Sequence, residues 1–152
     1  KIEFSKQTSV LVAHAVKQNP TKNTIPSPII QDLKTAMKEL IDEGESIAKP
    51  IMYRGAATAV YRESTNGKET IDTLSNHFQF PISIIEQDLE GYLGFLTAAQ
   101  GVNEEIIPNL ISWDTGGASF QLSAVPSHPH GGKEDLKIIE GPLGSSKVTA
   151  LM

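Results

Sequence analysis

The sequence predicts an α/β chain, a mixed sheet flanked by helices. Strand-like and helix-like segments alternate through its middle, as in β-α-β folds. One segment, residues 29–41, carries apolar residues at the spacing of a single helical face. A strand–turn–strand pattern around Asp114-Thr-Gly-Gly117 then adds an antiparallel hairpin.

Residues 1–13 contain Ile2, Phe4, Val10, Leu11 and Val12 and read as one or two strands; residues 18–24 are a polar loop. Ser27-Pro28 is a helix start, a capping hydroxyl followed by proline in the first helical position. Ile29, Ile30, Leu33, Ala36, Met37, Leu40 and Ile41 form its inward stripe, and the helix ends between Gly44 and Ala48, before Pro50. Residues 51–54 read as a short strand, and 55–64 as a turn into a helix carrying Thr58 and Arg62, broken by Asn66-Gly67. A helix over 68–78 presents Ile71, Leu74 and Phe78; residues 81–85 form a buried strand; a helix over 88–100 turns Leu89, Leu93 and Leu96 inward. In the hairpin, Leu110 and Ser112 face one way, Ile111 and Trp113 the other. Residues 126–135 are a polar loop, 136–140 a last strand and 141–144 a turn.

Composition bounds the function. With 152 residues, 39% of them hydrophobic, the chain can bury a core as one globular unit. A net charge of −5 argues against a nucleic-acid partner or any general polyanion surface, so phosphate handling would need a local site. Cysteine is absent, which excludes disulfides, thiolate metal sites and a cysteine nucleophile, and fits a cytoplasmic location. No apolar run is long enough to span a membrane, and a membrane partner is not expected. The chain opens at Lys1-Ile-Glu-Phe-Ser without Met and closes on an apolar run; it reads as a piece of a longer polypeptide.

Four groups of residues can carry chemistry. Asp114 closes a strand and is followed at once by Gly116 and Gly117; such a turn exposes successive amides to an anion, and Ser119 adds a hydroxyl. Asp114 would face the same ligand across a divalent cation. Taken alone, the stretch reads first as an ordinary hairpin turn. Glu90 lies in a first helical turn, where the helix dipole favours its ionised form and suits a base, though helix capping accounts for it as well. Gly91 and Gly94 leave bare backbone beside it, at about 1 kcal/mol each relative to alanine, and so call for close packing or a ligand. Arg62 suits a phosphate clamp, or is a surface cation. His128 and His130 lack a third metal ligand at useful spacing and read as a solvated loop.

In combination these segments resemble the exopolyphosphatase/guanosine pentaphosphate phosphatase (Ppx/GppA) family of the actin-like superfamily. Ala57-Thr58-Ala-Val-Tyr-Arg62-Glu-Ser-Thr-Asn66-Gly67 is similar to the family's Ala-Thr-x-x-x-Arg-x-x-x-Asn segment. Asp88-Leu-Glu90-Gly91 resembles its catalytic glutamate motif, and Asp114-Thr-Gly-Gly-Ala-Ser119-Phe-Gln121-Leu its second phosphate loop. Pro142-Leu-Gly144 resembles a late Pro-Leu-Gly turn of the family. The resemblance runs from about residue 26 to the end, in the family's order.

It implies a ribonuclease-H-like domain, residues 1–152 being part of the N-terminal domain, with the first phosphate loop upstream and a second domain downstream. It implies a phosphohydrolase acting on polyphosphate or guanosine pentaphosphate with Mg²⁺: Glu90 as base, Gln121 beside the attacking water, Arg62, Gly116, Gly117 and Ser119 on phosphate, Asp114 toward the metal. It also implies a homodimer for the whole protein and an inactive isolated piece. Three features depart from the family: the first loop is absent, Gln121 replaces the usual glutamate, and Ala118 replaces the third loop glycine. The last two, with Glu90-Gly91-Tyr-Leu-Gly94-Phe-Leu-Thr97, are also similar to apyrase-type nucleotidases of the superfamily. A binding domain that senses nucleotide or phosphate without hydrolysis is the third reading.

Overall fold

Seven apolar residues at helical spacing between positions 29 and 41 all become half-buried on one side of α2, Ser27–Ile47, in a computed structural model that describes residues 5–18, 22–50, 52–125 and 136–145. The helix starts one residue earlier than its capping pattern implies. Pro26 occupies the N-cap with no side-chain hydrogen bond, so Ser27 is the first helical residue rather than the cap. The chain divides into two compact units, Lys1–Ile84 and Ile85–Met152. The division falls between a strand and the helix that follows, where composition gives no linker signal.

In the first unit, α2 packs with α1 (Val12–Lys17), β1 (Gly55–Ala57), α3 (Ala59–Glu63), α4 (Gly67–Phe78) and β2 (Ile82–Ile84). Residues 5–11 form no strand and Val12–Lys17 is helical, against the one or two strands expected over 1–13, of which residues 1–4 lie outside the described residues. Val12 and Val16 lie one turn apart and bury together with Ile25, against Ile29, Ile30 and Leu33. Tertiary burial at that spacing outweighs the β-preference of a Val-Leu-Val run. A second cluster joins Ala57, Ile71 and Leu74 to Leu33, Met37, Phe78, Ile82 and Ile84. The strand expected at 51–54 forms instead at the small residues 55–57, paired in parallel with β2 (Gly55↔Ile82, Ala57↔Ile84). Asn66 ties the loop before α2 to the start of α4: its Oδ1 accepts the Ile25 N–H at 2.8 Å and its Nδ2 donates to the Ile25 carbonyl at 3.0 Å.

The second unit contains α5 (Gln87–Gln100), a 3₁₀ turn (Glu104–Asn109) and an antiparallel sheet of β3 (Ile111–Thr115), β4 (Phe120–Ala124) and β5 (Lys137–Gly141). The register pairs Asp114 with Gln121 and Gln121 with Glu140. Parallel and antiparallel pairs thus occur in two separate small sheets among the described residues, not in one mixed sheet.

The alternation expected along β3 is observed, with the polar face as the buried one, and the burial expected along α5 is reversed at Leu93 and Leu96. Trp113 is 74% exposed and Ile111 69%, on the same face as Ile139, while the buried face carries Ser112, Gln121 and Ser123. Along α5, Leu93 and Leu96 are exposed and the buried residues are Gly91 and Phe95. No helix among the described residues is long and apolar enough to cross a membrane. The loop at 126–135, with His128 and His130, and the end at 146–152 lie outside the described residues.

Candidate functional site

A helix and a hairpin meet in the second unit through polar groups and bare backbone. Gln87, Gly91 and Gly94 are four and three residues apart, so they line one stripe of α5. A Cβ built on Gly91 would stand 2.9 Å from Ile138 Cγ2, 3.2 Å from Ser123 Oγ and 3.3 Å from Gln121 Cβ. A Cβ on Gly94 would stand 3.3 Å from Asp114 Oδ2. The two glycines therefore let the helix backbone settle onto β3 and β4, which answers what justifies them. Close packing does so, and what is packed is the polar face that carries the candidate residues.

Two side chains secure the contact. Gln87 Nε2 donates to the carbonyls of Phe120 and Gly141, each at 3.3 Å, and so joins the first turn of α5 to β4 and β5. Ser123 Oγ, on a residue 1% exposed, donates to the Gly91 carbonyl at 3.1 Å. Neither was marked by motif, since a glutamine at a helix start and a serine in a strand are individually unremarked. Their only sequence signal is register: Gln87 precedes Gly91 by one turn, and Ser123 follows Gln121 on the same face of β4.

Glu90 is half-buried in the first turn of α5, flanked by both tethered positions and one turn before Gly94. Asp114 is exposed near the end of β3 with its carboxylate over Gly94. Gln121 is 1% exposed; its Nε2 reaches Ser119 Oγ at 3.4 Å, and its Oε1 has no hydrogen-bond partner among the described residues. A buried amide oxygen left without a donor costs about 1–3 kcal/mol, so this acceptor is the feature of the unit most in need of a ligand.

The loop between β3 and β4 is more constrained than its glycines imply. The Gly116 N–H donates to the Ser119 carbonyl at 3.0 Å, closing the turn, so this amide is not open to an anion. The Gly116 carbonyl accepts from the Ser145 N–H at 2.9 Å and from its Oγ at 3.2 Å. Gly144 lies so close that a Cβ there would come within 2.4 Å of Ala118 N and Gly117 C. The Pro142-Leu-Gly144 turn thus braces the loop. Ser119 is 3% exposed, its hydroxyl turned toward Gln121. The amides of Gly117 and Ala118 make no hydrogen bond among the described residues and remain as donors.

Arg62 is half-buried in the last turn of α3 and belongs to the first unit, whereas Glu90, Asp114, Gly116, Gly117, Ser119 and Gln121 all belong to the second. Among the described residues no three His, Asp or Glu side chains gather to hold a metal by themselves. Mg²⁺ does not require such a cage, because it is commonly held by one or two carboxylates together with substrate phosphate and water. An exposed Asp114 carboxylate fits that mode of binding.

No protein-family model and no curated protein sequence matches the chain. Solved structures do. An exopolyphosphatase-like protein superposes with a TM-score of 0.73 at 20% identity over 93% of this chain and 42% of its own. The Ppx/GppA family member of Aquifex aeolicus gives 0.63 at 20% identity, over 91% and 42%. An exopolyphosphatase from Cytophaga hutchinsonii gives 0.62 at 17%, over 87% and 40%. The chain thus spans about two fifths of the length of these proteins. Its α/β fold is the fold of that part of the exopolyphosphatase and Ppx/GppA structures.

Proposed function

We propose that the chain is part of a Ppx/GppA-type phosphohydrolase that releases terminal phosphate from inorganic polyphosphate or guanosine pentaphosphate. The observation that carries the reading is the buried Gln121 Oε1 without a donor, on a polar face between the Glu90 helix and the Asp114 loop. A water donating to this oxygen would satisfy it. Glu90 accepts a proton from that water as its oxygen attacks the terminal phosphorus, and the anhydride P–O bond breaks with its electron pair leaving on the bridging oxygen. The amides of Gly117 and Ala118 hold phosphate oxygens, Gly116 shapes the turn, and Ser119 orients Gln121. Arg62 supplies a cation toward phosphate, as the motif resemblance implies. Asp114 would hold Mg²⁺, which screens charge on the phosphates when bound. A cytoplasmic setting and a homodimer of the whole protein belong to the same reading.

Ala118 and Gln121 favour an apyrase-like preference for nucleoside triphosphate as the second reading. Phosphate release by the full-length protein with Mg²⁺, from long polyphosphate, guanosine pentaphosphate and ATP in parallel, separates the two. Glu90→Gln keeps shape and removes the base, and turnover should fall about 10²–10⁴-fold. Turnover that survives the substitution rejects Glu90 as base. Release from ATP alone selects the apyrase-like reading, and binding without release from any of the three selects a sensor.

A further inference from the structure

Glu90 is carried by a helical turn that the hairpin grips on both sides. One turn of α5 separates Gln87 from Gly91, and each makes a hydrogen bond to the sheet, by side chain from 87 and by carbonyl from 91. Glu90 lies between them in sequence and next to them on the helix surface. The first turn of a helix ordinarily frays, since its N–H groups lack intrahelical partners. Here the N-cap residue, Glu86, provides no side-chain cap. The three external bonds do not fill those N–H groups but hold the turn from outside, and all end on β4, the strand that carries Gln121, or on its neighbour β5.

We propose that Gln87 and Ser123 are positioning residues for Glu90, fixing its carboxylate relative to the Gln121 amide. Neither touches substrate; each sets where the turn carrying Glu90 rests. Gly91 is part of the device, because its missing Cβ brings its carbonyl within reach of the Ser123 hydroxyl. A base displaced by about 1 Å from the line of attack loses up to about 10² in rate. The proposal rests on the phosphohydrolase reading for its kinetic arm and on geometry alone for its structural arm.

The test uses the full-length protein with Ser123→Ala, Gln87→Met and the double variant. Each single variant should lower kcat per folded molecule about 10-fold to 10²-fold with KM unmoved, and Ser123→Cys, a weaker donor of similar shape, should fall between Ser123→Ala and wild type. Amide hydrogen exchange over residues 88–92 should quicken in both variants while β3 and β4 keep their protection. Wild-type kcat in both variants, or a loss that follows only the folded fraction, overturns the proposal. If wild type hydrolyses none of the three substrates, the phosphohydrolase reading fails. Exchange then decides separately: faster exchange over 88–92 upholds the tether, and unchanged exchange overturns it too.

Discussion

Replacing Gly91 by alanine tests whether α5 rests on the hairpin as closely as described. Alanine is the best helix former, and in a free helix the change would gain about 1 kcal/mol. At this position the new methyl would stand 2.9 Å from Ile138 Cγ2, 3.2 Å from Ser123 Oγ and 3.3 Å from Gln121 Cβ. Ile138 can yield by rotation, but Gln121 and Ser123 are each 1% exposed and have nowhere to go without moving β4. Overpacking of this kind costs about 1–3 kcal/mol. The net expectation is a loss of roughly 0–2 kcal/mol. Gly101 is the internal control. It caps the same helix with φ of −90°, and a Cβ there would meet only the Ala98 carbonyl at 3.4 Å. Gly101→Ala should therefore gain about 0.4–1 kcal/mol through the unfolded chain. Urea unfolding reads both, as opposite shifts in midpoint at constant slope. A Gly91→Ala variant stabilised as much as Gly101→Ala would refute the close contact, and with it the reason given for the glycines.

Asn66→Ala removes both hydrogen bonds to the Ile25 backbone and should cost roughly 1–3 kcal/mol; Asn66→Asp keeps only the acceptor and should fall between, read by the same unfolding midpoint. The Tyr53 phenol donates to Glu45 Oε1 at 2.5 Å, and this bond, with burial and the charges of Glu45 and Asp42, pushes its pKa up to about 12. A raised folded pKa stabilises the protonated state, so the contribution is complete below about pH 10 and is lost as pH rises through about 12. Phenolate absorbance should place its titration there, and Glu45→Gln should bring the titration down.

Legibility from sequence followed how far each pattern depends on the chain's own packing. The stripe from Ile29 to Ile41 was read correctly because seven apolar positions at one spacing admit only one face. Ile71 and Leu74, the apolar residues marked on the helix expected over 68–78, are both buried. Val10-Leu-Val12 misled because β-branched residues favour strands while burial of Val12 with Val16 requires a turn of helix. Leu93 and Leu96 of α5 misled for a different reason. Pattern rules assign the apolar side to the interior, but here the side met by the helix is the polar one, and Ile111, Trp113 and Ile139 stay exposed in a chain that spans about two fifths of its structural relatives. Motif reading singled out Glu90, Asp114, Gly117 and Gln121 as candidates, residues whose chemistry is suggested by their type. It passed over Gln87, Ser123 and Ser145, whose part lies in a hydrogen bond to backbone and so depends on register alone.

The polar contact between α5 and the hairpin is itself an argument about function. A helix on a sheet is most cheaply joined by apolar side chains, whereas this contact contains two helical glycines, at about 1 kcal/mol each, and a buried acceptor without a donor. Close packing accounts for the glycines, as it would in a scaffold with no ligand; the Gln121 oxygen is the part of the contact that packing does not explain. The two accounts part at Gln121. Gln121→Met keeps the volume and removes both the unpartnered oxygen and the long 3.4 Å bond to Ser119. If the amide is there for a ligand, the substitution should raise unfolding stability by about 1–3 kcal/mol while turnover is lost. A Gln121→Met variant less stable than wild type would mean that the amide serves the fold, and the strongest support for a site at this contact would be gone.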